Sequence, residues 1–169
     1  DFDYRISQRD VDSNGHIAAS LNLMAHSIRS LLNATEAQRN TLSIVLNVMA
    51  DGVIVIDSQG KIELLNSAAE ALFGLDGGDN VGAKFIEIIR DYELNKIVST
   101  AKQKHAQIYQ EIELLDQRRF VSAVASPIKR EEGDGVLLTV HDLTFAHQLQ
   151  VTRREFVTNV SHELRNPLS

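Results

Sequence analysis

The stretch "FVTNVSHELRNPLS", Phe156 to Ser169, sets a histidine directly before a glutamate on a segment of helical periodicity. At about 100° per residue, Phe156, Val157, Val160, Leu164 and Leu168 fall within an arc of roughly 120°. His162 lies almost opposite the centre of that arc. The spacing therefore predicts an imidazole turned to solvent and an apolar stripe turned inward. Asn159 and Asn166 flank His162 one turn back and one turn on, and Glu163 sits about 100° around the axis. A neutral imidazole is a competent nucleophile near pH 7. A neighbouring carboxylate can accept or orient the second ring proton and stabilise the charge that develops on attack. The same pattern also describes an ordinary surface histidine, and helix geometry alone does not separate the two. A metal centre is disfavoured, because no second His, Asp or Glu falls one turn away on the same face.

The elements that must position this helix are legible upstream. From Leu143 to the end the pattern is helical, without glycine and with Pro167 as its only proline. Before it, "GVIVID" and "KIELLN" around "DSQG" read as a hairpin, and "IYQEIELL", "RRFVSAVASPIK" and "GVLLTVHDL" read as three further strands. Between these groups, "NSAAEALFGL" reads as a short helix, with Ser67 and Glu70 forming a capping box and Gly74 as its stop. "DGGDNVG" is a loop, and "AKFIEIIRDYELNKIVSTAKQKH" gives two short helices. Two strands, short helices, then three strands describe an α+β domain of about 95 residues with its helices grouped on one face.

Ahead of that domain, a helix is expected from about Gly15 to Met49. Leu21, Met24, Ile28, Leu31, Thr35, Gln38, Leu42, Val45 and Met49 alternate steps of three and four, which makes a heptad seam. Thr35 and Gln38 are its polar members. So narrow a strip suits a second helix better than a globular core, and a parallel homodimeric coiled coil is the expectation.

Composition removes several classes. The 169 residues carry a net charge of -6 with no basic stripe, so no nucleic-acid partner is expected. Cysteine is absent, which excludes disulfides, thiolate zinc and thiol catalysis. No apolar run approaches the roughly 20 residues that span a bilayer. Both ends read as abrupt, as expected of a segment taken from a longer protein.

Phe156, Ser161-His162-Glu163-Leu164-Arg165, Pro167 and Leu168 resemble the H-box of bacterial sensor histidine kinases of the HisKA type. The resemblance implies that His162 is phosphorylated from ATP and passes the phosphoryl group to an aspartate of a response regulator. It implies that Glu163 is the acid/base partner. Asn166, where many relatives have threonine, would orient the water that hydrolyses the regulator's phosphoaspartate, and Pro167 would bend the helix past the site.

"ADGVIVIDSQGKIELLNSAAEALFGL" and "VHDLT" resemble a PAS domain. There Asp142 and Thr144 match the D-x-T junction that ties the last strand to the output helix. "DFDYRISQRDVDSNGHIAASLNLMAHSIR" resembles the second half of a HAMP domain through Asp12 and Gly15, with Ser13 where that family has glutamate. The implied organisation is 1–32 second half of HAMP, 33–50 coiled-coil linker, 51–144 PAS and 145–169 the start of the phosphotransfer helix. It is similar to membrane-anchored HAMP–PAS sensor kinases of the phosphate- and cell-envelope-sensing kind. A transmembrane segment would lie upstream, and ATP and Mg would be held by an ATP-binding domain, since no glycine-rich phosphate loop occurs in these residues. The segment alone would then not phosphorylate itself. The competing reading is a ligand- or cofactor-binding PAS module whose helices merely dimerise it. His105 and His141 are the only candidate haem ligands in the PAS segment, with surface or turn roles preferred for both.

Overall fold

In the computed structural model, residues 8–75, 80–114, 118–131 and 133–165 are described, with side chains in the terminal helices from Leu23 and as far as Ser161. The chain divides into two units, Asp1–Val45 and Leu46–Ser169. The first is helical. α1 runs Gln8–Val48, its last turn belonging to the second unit. It begins earlier than the spacing predicts and passes through Asp12 and Gly15 without a break. One glycine costs a helix only about 1 kcal/mol relative to alanine, which a helix of 41 residues absorbs. Seam residues are exposed: Met24, Ile28, Leu31 and Val45, with Leu42 at 63%. Apolar exposure is wider than the seam, since Leu23, Leu32 and Ile44 beside it are open too. The Thr35 hydroxyl donates to the Leu31 carbonyl at 2.9 Å, so this polar seam member is satisfied within its own helix.

The second unit is built on β1 (Gly52–Ile56), β2 (Ile62–Leu65), α2 (Ser67–Phe73), α3 (Phe85–Ile88), α4 (Tyr92–Lys104), β3 (Ile108–Leu114), β4 (Arg119–Ile128), β5 (Gly135–Asp142) and α5 (Thr144–Arg165). The five strands form one antiparallel sheet in the order β2-β1-β5-β4-β3. The first and last strands are therefore neighbours, with Gly52 opposite Val140. Alternation along the strands turns Ile54, Ile56, Val121, Leu138 and Val140 to one face. Against them pack Leu72 of α2, Phe85 of α3, and Leu94, Ile97 and Ala101 of α4. Ala123 and Ala125, both fully buried, keep the middle of β4 thin under the helices. At the start of β5 even a methyl group is too much: a Cβ on Gly135 would stand 2.6 Å from the Ile56 carbonyl oxygen of the adjacent strand.

The elements expected from the sequence are present, the hairpin turn included, where the Asp57 amide bonds the Lys61 carbonyl at 2.9 Å and Gly60 takes φ 82°. Gly74 ends α2 in the left-handed conformation, as expected. The cap at the other end differs. Asn66, not Ser67, is the N-cap, and its Oδ1 accepts from the Ala69 amide. An amide side chain carries an acceptor and two donors, so it can cap a helix and still bond elsewhere, which a hydroxyl in that position does less well.

Candidate functional site

α5 is joined to the sheet at its first residue. Thr144 Oγ1 accepts from the Phe120 amide of β4 at 3.1 Å and also faces the Phe120 carbonyl at 3.5 Å. The Thr144 amide donates to Asp142 Oδ1 at 2.8 Å. Asp142 Oδ2 pairs with Arg119 of β4 at 3.4 Å. The Leu143 amide donates to the Phe120 carbonyl at 2.7 Å, and the His147 ring stacks on Phe120 with centroids 3.7 Å apart. Asp142 and Thr144, singled out in the sequence, thus converge on one corner with Arg119, Phe120 and His147, which were not. Partial burial pushes the Asp142 carboxyl up. Hydrogen bonding from Thr144 and the charges of Arg119 and His141 outweigh it, leaving Asp142 below the ordinary aspartate value.

A second junction holds the last turn of α1. Asn66 is 2% exposed. Its Oδ1 accepts from the Val53 amide at 2.8 Å and the Ala69 amide at 3.0 Å. Its Nδ2 donates to the Leu46 carbonyl at 2.8 Å and the Asp51 carbonyl at 2.9 Å. Ser67 adds a bond to the Asn47 carbonyl at 3.2 Å. One buried side chain therefore ties the end of α1, the entry to β1 and the start of α2. A helix-preceding asparagine is a recognisable cap signal. Its grip on a carbonyl 20 residues upstream is not written in the local pattern.

Next to this joint, His141 Nδ1 meets Asp51 Oδ1 across the β1–β5 boundary. His105 closes α4 in the left-handed conformation and pairs with Asp134 at 3.1 Å. Both histidines thus face carboxylates, and neither lines the cleft of about 730 Å³ formed by Phe73, Leu75, residues 87–93, Glu113 and Leu114. Among the described residues, no group of three or more His, Cys, Asp or Glu is placed to hold a metal ion.

α5 continues unbroken from Thr144 to Arg165, so the backbones of His162 and Glu163 lie on the same helix as the junction. Their side chains, with those of Asp12 and of residue 15's neighbours in α1, lie outside the described residues, as do Asn166 and Pro167 entirely. The expected inward stripe is not buried within one chain: Phe156 is 67% and Val157 55% exposed. Among the described residues, no helix is long and apolar enough to cross a membrane.

The PAS fold family matches residues 46–148, and the chain belongs to it. Over nearly its whole length the chain is similar to sensor histidine kinases. It is 31% identical over 170 residues to the sensor histidine kinase WalK of Bacillus subtilis (strain 168), covering 99% of this chain and 28% of that protein. It is 30% identical over 163 residues to the sensor protein kinase WalK of Staphylococcus aureus (strain Newman), covering 94% of this chain and 26% of that protein. The chain thus spans little more than a quarter of the length of these curated relatives. Among solved structures, the Escherichia coli DhaR(N)–DhaL complex shares the fold, with a TM-score of 0.57 and 24% identity over 81% of this chain and 46% of that one.

Asn66→Ala should strand the buried Val53 and Ala69 amides and release the last turn of α1. The expected loss is about 2–4 kcal/mol, combining a lost cap with unsatisfied buried donors, read from denaturant unfolding. Asp142→Asn tests the corner at the base of α5 through pH. Because the folded carboxyl lies below its unfolded value, its stabilisation is present above the unfolded value and is lost as pH falls through the folded one. Wild type should therefore exceed the variant by no more than about 1 kcal/mol near pH 6, given the exposure of the pair, and the gap should close in acid. Unfolding free energies measured from pH 2 to 6 check this.

Proposed function

We propose that this chain is the signal-transducing core of a membrane-anchored two-component sensor histidine kinase that works as a parallel homodimer. HAMP-type input through residues 1–32 and PAS input through residues 51–144 act on the helix that carries His162. The observation supporting this most strongly is the continuity of α5. Thr144, locked to β4 by its hydroxyl, and His162 belong to one helix, about 27 Å apart along the axis at 1.5 Å per residue. The sequence similarity to the two WalK kinases, which extends through both terminal helices, supports the same reading.

In the proposed reaction, a ring nitrogen of His162 attacks the γ-phosphorus of ATP, the bond to the bridging oxygen breaks, and ADP leaves. ATP and Mg are presented by an ATP-binding domain outside these residues. Glu163 takes or orients the proton on the other ring nitrogen. The phosphoryl group then moves to an aspartate of the cognate response regulator. In the opposite direction, Asn166 positions the water that hydrolyses the regulator's phosphoaspartate. Asp12 and Gly15 lie in the HAMP-type input and Pro167 bends the helix beyond the site.

In the full-length kinase, His162→Ala should abolish acid-labile phosphate. Glu163→Gln should slow autophosphorylation by about 10²–10⁴-fold and spare the phosphatase. Asn166→Ala should slow decay of phosphorylated regulator and spare autophosphorylation. Equal loss of both activities in both variants would count against separate roles. For the dimer, Leu42→Asp sets like charges face to face in an apolar seam. Light scattering at high micromolar concentration should find wild type dimeric and the variant shifted toward monomer.

A further inference from the structure

The two junctions share a bridge. Asn66 Nδ2 holds the Asp51 carbonyl together with the carbonyl of Leu46, in the last turn of α1. The Asp51 carboxylate meets His141 Nδ1 on β5. His141 is followed by Asp142, whose Oδ1 accepts from the first amide of α5. The end of α1 and the start of α5 are therefore connected across two adjacent strands through a few polar side chains. Histidine is the side-chain type whose ordinary charge change falls between pH 5 and 8.

We propose that the Asp51–His141 contact is a proton-dependent clasp that couples the incoming helix to the outgoing helix more tightly as pH falls. Its regulatory meaning rests on the kinase reading above. The Nδ1–H donor survives in one neutral tautomer, so the contact is not lost when the imidazole is neutral. It changes from a neutral-donor bond to a charge-assisted one, which is shorter-ranged in geometry and stronger.

The other charged groups around His141 are consistent with that sign. Asp51 faces it from the entry to β1, and Asp142 is its neighbour on β5. Arg119 of β4 is already paired with Asp142. Glu111 of β3 lies on the same face one strand further out, opposite Ser122, which is itself opposite His141. On α5 the His147 ring is stacked on Phe120. Three carboxylates thus stand against one guanidinium that is itself engaged. Exposure of both partners, 55% for His141 and 42% for Asp51, limits the strength of the clasp to that of a surface pair.

The test is an NMR titration of the isotopically labelled 169-residue chain from pH 5 to 8. The amides of Asn47, Gly52 and Thr144 should shift with the same midpoint as the His141 imidazole. After correction for intrinsic rates, the Val53 and Thr144 amides should exchange about two- to fivefold more slowly on the acid side, the range open to an exposed pair. Asp51→Asn should remove the shared shift at Asn47 and Gly52. His141→Gln should remove the pH dependence from all three amides. The proposal is overturned if those amides follow another midpoint, or if the response stays confined to β5. No kinase activity enters this measurement, so its failure leaves the role of His162 standing, and a kinase lacking phosphohistidine would leave the titration result standing.

Discussion

The architecture of the PAS unit turns on a single buried amide. Asn66 is the one buried polar residue of the described core, and removing it from water is tolerable only because four partners satisfy it. Those partners belong to different pieces of chain: the last turn of α1, the residue entering β1, β1 itself and α2. A buried group of this kind allows little latitude, since a displacement of any partner leaves a donor or acceptor unmade at a cost of about 1–3 kcal/mol. The end of α1 is therefore fastened to the sheet, rather than hanging from a linker, and movement of its last turn must be answered inside the PAS core.

The sheet order then decides where that answer appears. Placing β1 beside β5 brings the entrance and exit of the unit to the same end of two paired strands. A fold with the first and last strands apart would have to carry strain through the hydrophobic core, which packs densely and relaxes poorly. Here the route is short and polar. Its last part is the corner of Arg119, Phe120, Asp142, Thr144 and His147, which sets the direction in which α5 leaves.

The strands and the helices could be read in the sequence because each has a local cause, and the exit corner only through Asp142 and Thr144. Alternating apolar residues mark the strands, a glycine in the left-handed conformation marks the end of α2, and Asp142 and Thr144 carry a short motif. The cap of α2 was misplaced by one residue for a related reason. Ser67 and Glu70 satisfy the local rule for a capping box, but Asn66 satisfies two elements at once, and only tertiary structure rewards that. The Asp51–His141 contact spans 90 residues and depends on strand register, which no local pattern encodes. The early start of α1 has the opposite explanation: a glycine that would end a short helix is outweighed in a long one.

In the proposed kinase, the length of α5 constrains what kind of signal it can deliver. Its first turn is anchored by Thr144 and by the stacking of His147 on Phe120, whereas Leu149, Phe156 and Val157 further along are exposed. An isolated helix of this length is only marginally stable in water, and its stability comes mainly from packing an apolar face. In the proposed dimer the matching stripe of the other protomer covers the stripe around Phe156. Under that condition a local deformation at Thr144 would fade before reaching His162, because each turn is held by its own hydrogen bonds. A rotation of the whole helix would not fade. It would repack the seam at every level and turn the histidine face by the same angle some 27 Å away. The exit corner is suited to impose such a rotation, since the Thr144 hydroxyl, the Asp142 carboxylate and the His147 ring grip the base of the helix through three differently directed contacts.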